Sequence, residues 1–351
     1  MTDPVAKVRG KKAAQAKAMW ERLWVGLGIA SILFVLGAGL FLLGPGPKAK
    51  EGESSFFVVA DGDSASTVGA RLQKEGLVRS ALGFRLAVAI DGSAADLKIA
   101  EYEIPSGATP GRIAKILSSG EGVKRVVVLP EGWSVSQIYT RLKANRFLAG
   151  ELPPAPPEGT LNPDTYPIQR GDTRASVVKR MQDSHQALID ELWLKRAPDL
   201  PIATKQEAII LASIVEKETG IAEERPRVAA VFVNRLRLGM KLQSDPTIIY
   251  GITKGAPLRR KIFRSDIENP HPWNTYVIQG LPPTPIANPG KDALAAVLNP
   301  PRTREIFFVA DGTGGHVFSE TYAEHHRNVL RWRAWRAEQE KKSQNLLGGG
   351  E

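Results

Sequence analysis

The chain predicts an α+β fold behind one membrane-spanning helix, and three features of its 351 residues carry that expectation. Residues 23–44, LWVGLGIASILFVLGAGLFLLG, form an uncharged apolar run long enough to cross a bilayer at about 1.5 Å per residue. Beyond it, a pattern of β-rich run, glycine-centred turn and amphipathic helix occurs three times. The second half alternates helical periodicity with loops rich in Pro and Gly.

Taken in order, residues 1–22 hold Lys7, Arg9, Lys11, Lys12, Lys17 and Arg22 against Asp3 and Glu21. This basic flank places residues 1–22 in the cytoplasm and the chain after the apolar run on the far side of the membrane. The run exceeds the roughly 7 to 15 apolar residues of a signal peptide, so an uncleaved anchor is expected. Residues 45–54 read as a stiff polar linker. FVVADGDSASTVGARL (57–72), YEIPSGATPGRIAKIL (102–117) and VVLPEGWSVSQIYTRL (127–142) are the three repeats, with Gly62, Gly107 and Gly132 at their turns. Ser64 or Ser66, Thr109 and Ser134 stand where a helix N-cap is needed, and the three units are expected to pack on one another.

Residues 146–173 read as surface loops, followed by an amphipathic helix over 174–195. Two further helices are expected, from Gln206 to Glu218 closed by Gly220 and from Ala222 to Leu238 closed by Gly239. Next comes a turn-rich stretch, then a β run over 306–312 and a last helix from Thr321, with residues 336–351 as a frayed polar tail. The expected division is residues 55–122 as a small module and 123–335 as the main region.

The absence of cysteine removes thiolate-nucleophile, redox and zinc-cysteine chemistry. A net charge of +10 suits nucleic acid, an anionic membrane or an acidic polymer alike. An extracytoplasmic location disfavours nucleic acid, and part of the positive charge is topological.

Chemistry concentrates around LASIVEKETG (211–220). On a helical wheel Ile209, Ala212, Val215 and Thr219 share one side, and Leu211, Ile214 and Glu218 the neighbouring stripe. Glu216 falls at the apolar border, where desolvation would favour the protonated carboxyl that a general acid needs. Read alone, the two glutamates fit a solvated helix end better than a catalytic one. The loops LQSDPTIIYG (242–251), HPWNTYVIQGLPPTPIANPG (271–290) and FVADGTGGHVFSETYAEH (308–325) shift that balance. They hold amides and aromatic rings on stiff backbone, as sugar recognition requires.

Together LASIVEKETG, EERPRVAAVFVNRLRLGMKLQSDPTIIYG, NTYVIQGLPPTPIANPG, FVADGTGGHVFSE and the upstream PDTYPIQRGDT resemble the YceG-like family in order and spacing, behind one N-terminal anchor. The resemblance implies LysM-like small modules followed by a catalytic domain with lysozyme-like character; the first two repeats are themselves loosely similar to LysM. It implies a membrane-anchored lytic transglycosylase that cuts the bond between N-acetylmuramic acid and N-acetylglucosamine in nascent peptidoglycan strands. Such cleavage leaves a 1,6-anhydro end and terminates strand elongation. By the same resemblance Glu216 is the catalytic acid, Glu218 and Asp245 support it, and Gln243, Thr247, Tyr250, Asn274, Thr275 and Tyr276 bind substrate. No cofactor or metal is implied; the implied partners are glycan strands, the inner membrane and cell-wall synthases of the penicillin-binding class. A non-catalytic glycan-binding scaffold is the competing reading. LNPDTYP carries Asn162 where the family pattern more often has an aromatic or apolar residue.

Overall fold

The computed structural model describes residues 4–47, 54–92, 97–169 and 171–348, without the side chains of 4–18, 21 and 343–348. The chain divides after Lys124 into two compact units. Most of the linker read at 45–54 lies outside the described residues.

In the first unit, helix α1 (Pro4–Leu43) contains the apolar span Arg22–Leu43 at mean hydropathy 2.4. Two antiparallel strands, β1 (Ser54–Val59) and β2 (Ala100–Pro105), pair with Phe57 opposite Tyr102. Against them lie α2 (Ala65–Lys74), α3 (Ala81–Asp91) and α4 (Pro110–Ser119). Phe57, Leu72, Phe84, Tyr102, Ile104, Ile113 and Leu117 are fully buried there, and they hold the module together. The first repeat is capped by Ser64, whose side chain accepts from the Thr67 N–H, and the second by Thr109, which accepts from Arg112.

The second unit begins with β3 (Arg125–Val128), antiparallel to β4 (Thr165–Ile168), and continues into α5 (Val135–Ala144) and α6 (Arg174–Leu194). The third repeat is therefore not packed in one sheet with the first two: β1 pairs β2, whereas β3 pairs β4. Strand β4 lies inside the segment expected to be loop, because Pro167 obscures a four-residue run that pairs along one edge. Asn162 fits by polar means: its Nδ2 donates to Ser184 Oγ at 2.9 Å and its carbonyl accepts from Tyr166 at 2.9 Å.

The helices that follow are α7 (Lys205–Glu218), α8 (Arg225–Arg237), α9 (Asp245–Thr253), α10 (Arg264–Glu268) and α11 (Lys291–Leu298). Hairpin β5 (Phe307–Ala310) and β6 (His316–Ser319) precedes α12 (Tyr322–Gly348). Helix α7 is the centre of this unit. Residues Ala208 to Val215 are buried without a break, between α8 on one side and α11 on another. A helix apolar all round is a core helix rather than a surface one, so the apolar border expected from the wheel does not exist. Gly220 is not its left-handed stop; α7 ends at Thr219 in extended backbone, whereas Gly239 after α8 does adopt φ 63°. The polar tail continues α12 as helix to Gly348, with ion pairs such as Glu338–Lys342 at 2.8 Å along its surface.

Candidate active site

Thr204 starts α7 with a capping box: its side chain accepts from the Glu207 N–H, and Glu207 reaches back to the Thr204 N–H. From there the buried run carries the helix through the core, and its last turn emerges as Glu216, Lys217 and Glu218. Helical geometry separates these three by about 100° each, so they meet three different surroundings.

Glu216 is turned toward the start of α11. Its Oε2 accepts from the Gly290 N–H at 3.0 Å, and its Oε1 lies 3.9 Å from Arg225 Nη2. The side chain is only 6% exposed. Arg225, buried at the start of α8, also lies 4.0 Å from Glu131 and 3.4 Å from Asp292. Desolvation and then the repulsion of Glu216 raise the Glu131 pKa, with Arg225 acting against them. Both Glu216 oxygens thus face fixed cationic or N–H partners that tie α7 to α8 and α11.

Glu218 meets a different environment. Its Oε1 accepts from Ser244 Oγ at 2.5 Å, while Oε2 accepts no hydrogen bond among the described residues. The residue is half-buried, but its carboxyl is the enclosed end. Desolvation pushes its pKa up to about 7; the charge of Asp245 adds to the rise, and the Ser244 hydroxyl and Arg235 oppose it. Arg235 is itself occupied, donating to the Ile306 carbonyl at 2.7 Å and the Leu242 carbonyl at 2.7 Å.

The loop that brings Ser244 to Glu218 is held by residues expected to touch substrate. The Ser244 N–H donates to Thr275 Oγ1 at 2.9 Å, and Thr247 Oγ1 donates to the Ser244 carbonyl at 2.6 Å. Thr247 and Thr275 are completely buried and share a 2.8 Å hydroxyl contact. Asn274, 2% exposed, donates through Nδ2 to the carbonyls of Ile267 and Asn269, and its Oδ1 accepts from the Tyr276 N–H. Thr247 and Thr275 shape the site from behind, and Asn274 lines only a small cavity of about 80 Å³ beside it. Gln243 and Asp245 are exposed. Gln243 has φ 54°, a left-handed value uncommon for a residue other than glycine, and its N–H is fixed to the Thr275 carbonyl at 3.1 Å. Tyr276 Oη donates to Asp245 Oδ1 at 2.7 Å; burial, then this bond and the nearby carboxylates, raise the Tyr276 pKa.

Beside this acid cluster opens a cleft of about 290 Å³, lined by Gly132, Ser134, Gln137, Lys217, Tyr250 and Ile286 among others. Lys217 and Tyr250 connect it to the cluster through α7 and α9. Tyr250 tilts against Trp273 with ring centroids 5.8 Å apart, and Lys254 Nζ sits 3.5 Å from the centre of the Trp273 ring. On the other side of Tyr250 is a shallower groove containing Glu158, whose pKa burial raises to about 7 despite hydrogen bonds from Val135 and Asn288.

Ser244, Arg225, Arg235, Glu131 and Glu158 were not singled out from the sequence. Ser244 stands inside the quoted LQSDPTIIYG and could have been included with its neighbours. The others are linked to the glutamates only through the tertiary fold.

Comparison with known proteins points in one direction. An endolytic murein transglycosylase of Bacillus subtilis (strain 168) is 27% identical over 325 residues, covering 82% of this chain and 89% of that protein. A protein of the same description from Streptococcus pneumoniae serotype 2 (strain D39 / NCTC 7466) is 28% identical over 320 residues, covering 77% of this chain and 57% of its own length. The crystal structure of a yceG-like protein from Listeria monocytogenes aligns at 26% identity with a TM-score of 0.49, over 78% of this chain and 98% of that one. The model of the YceG-like family matches residues 57–331, which is most of the sequence, and the chain belongs to that family.

Proposed function

We propose that this chain is an endolytic murein transglycosylase and that Glu218, rather than Glu216, is its proton donor. The residue assignment rests on the geometry of the Glu218 carboxyl, one oxygen of which is fixed by Ser244 while the other accepts no hydrogen bond among the described residues, in surroundings whose burial pushes its pKa up to about 7. A general acid works best when its pKa lies near the working pH. Glu216, the residue expected from the sequence, has its oxygens directed at the Gly290 N–H and Arg225, which suits an anchor between helices.

In the reaction, the Glu218 proton passes to the glycosidic oxygen as the bond to the muramyl C1 breaks, and the N-acetylglucosamine leaves with a hydroxyl. The carboxylate so formed takes the proton of the C6 hydroxyl on the same muramyl ring, and that oxygen closes on C1. One bond is broken, one is formed, Glu218 ends protonated as it began, and water is not consumed. A hydrolase would need a second carboxylate to activate water or to attack. Asp245, held by the Tyr276 hydroxyl, supplies negative charge that supports the oxocarbenium-like transition state and keeps the Glu218 proton on. Gln243 and Tyr250 contact the glycan, whereas Thr247 and Thr275 hold the loop that carries Ser244, and Asn274 braces the neighbouring loop that carries Thr275.

The basic residues before the apolar span support an orientation in which the chain beyond that span lies in the periplasm. The β1-α2-α3-β2 order supports a LysM-like reading of the first unit, and a glycan grip there would suit the substrate. A cell-wall synthase supplies the nascent strands. The functional reading is tested by incubating the full chain in detergent with uncrosslinked strands and weighing the products. Ends lighter by one water than the hydrolytic product are expected; intact strands, or hydrolytic ends only, would contradict it.

A further inference from the structure

Lys217 stands between two glutamates in the sequence, yet among the described residues it forms an ion pair with neither, nor with any other carboxylate. Its side chain lies over Gly132, where Nζ donates to the carbonyl at 3.2 Å. An ammonium has three donors, and one such bond leaves the others for the cleft that Lys217 lines. Across the same cleft is Gln137. Its Oε1 accepts from the Ser134 N–H at 3.0 Å, and because a backbone N–H can only donate, this bond fixes which end of the amide is oxygen. The Gln137 NH₂ group is left without a partner among the described residues, on the lining of the cleft. Among the described residues Lys217 is the one charged side chain on that lining; Pro246, Ile249, Tyr250, Pro257, Leu258 and Ile286 make most of the remaining wall apolar. A cation and an amide donor in a cleft whose walls are mainly apolar match a carboxylate joined to a less polar body.

We infer that Lys217 and Gln137 form a recognition point for a carboxylate of the murein stem peptide, so that the enzyme selects strands whose muramyl residues still carry charged peptides. The inference rests on the proposed transglycosylase reading for its substrate. Along the interior of a peptide-bearing strand the stem peptides supply the anionic groups: the sugar hydroxyls and acetamido groups are neutral, and the muramyl lactyl carboxyl is an amide wherever the peptide is attached. Charge at this point therefore distinguishes stem-bearing strands with free carboxylates from strands whose peptide carboxylates have been amidated. Lys217 acts on binding and takes no part in proton transfer, for which Glu218 is the group identified above.

The test uses two preparations of the same uncrosslinked strands, one with free stem carboxylates and one with those carboxylates converted to methylamides. Binding of each to the full-length Glu218→Gln protein in detergent, and kcat/KM for each with the full-length enzyme, are measured at low and at physiological salt. A preference of about five-fold for free carboxylates is expected at low salt, the size of one partly solvated ion pair, and it weakens as salt rises. Lys217→Met and Gln137→Leu each reduce the preference ratio, with Lys217→Met bringing it near one and Lys217→Arg restoring most of it. The change is expected in KM and in binding rather than in kcat. Equal affinity of the unsubstituted site for the two preparations, or a preference that survives Lys217→Met, would overturn the inference. If no strand is cut at all, the transglycosylase reading fails, while the binding ratios still decide whether the cleft reads a carboxylate.

Discussion

At the scale of single residues, the two glutamates of LASIVEKETG differ because their partners differ. Residues 216 and 218 lie on one helix turn, but one faces Arg225 and a helix N-terminus and the other faces Ser244 and Asp245. Burial is the main reason the Glu218 pKa is raised and Asp245 adds to it by like-charge repulsion, so Asp245→Asn is expected to lower the alkaline limb of the kcat–pH profile from its midpoint near 7 by only part of the shift. An unmoved midpoint would show that the limb belongs to another group. The same shift has a stability consequence. Between an unfolded value near 4.5 and a folded value of about 7 the native state holds the extra proton, so this group's contribution to stability falls as pH rises through that interval. Glu218→Gln removes the ionisation, and its Tm should exceed that of the unsubstituted protein by a few degrees at about pH 8, with the gain shrinking toward pH 4. A variant less stable than the parent at both pH values would contradict the assigned environment.

At the scale of elements, α7 is a core helix whose final turn is presented to two neighbouring loops, and the loop after α8 is as much part of the site as the helix. Thr275 accepts from the Ser244 N–H and meets Thr247, so Thr275→Val keeps the volume but leaves a buried donor unpaired. A loss of about 1–3 kcal/mol is expected in denaturant unfolding, together with reduced turnover as Ser244 loses its position. Unchanged stability would mean that the loop is held elsewhere. Much of this level was readable in the sequence: α6, α7 and α8 declare themselves through apolar spacing, and Ser64, Thr109 and Ser134 through their place after a glycine turn. Helix α9 was hidden because Asp245-Pro246 is a turn signal as well as a good helix start, and β4 because proline interrupts a short strand. The choice between Glu216 and Glu218 was out of reach for a stronger reason. Helical spacing assigns faces only when one face is wet, and α7 is buried on all sides up to Val215; the group that distinguishes Glu218 is Ser244, 26 residues away.

At the scale of the whole molecule, one helix among the described residues is long and apolar enough for a single-pass anchor, and each of the two units has its own buried core. The family and the mixed architecture were legible from ordered loop motifs, because those loops are stiffened by Pro and Gly and so keep their chemistry in recognisable stretches. Where the third repeat would pair was not legible, since strand partners depend on β4 far along the chain. We propose that this anchored chain performs intramolecular glycan cleavage through one carboxyl, Glu218. The most direct test is the yield of anhydro-ended product from uncrosslinked strands with full-length Glu218→Gln and Glu216→Gln side by side, each verified as folded by circular dichroism. Loss of roughly 100-fold or more in Glu218→Gln, with measurable turnover kept by Glu216→Gln, is predicted; near-normal yield from Glu218→Gln, or abolition confined to Glu216→Gln, would contradict it.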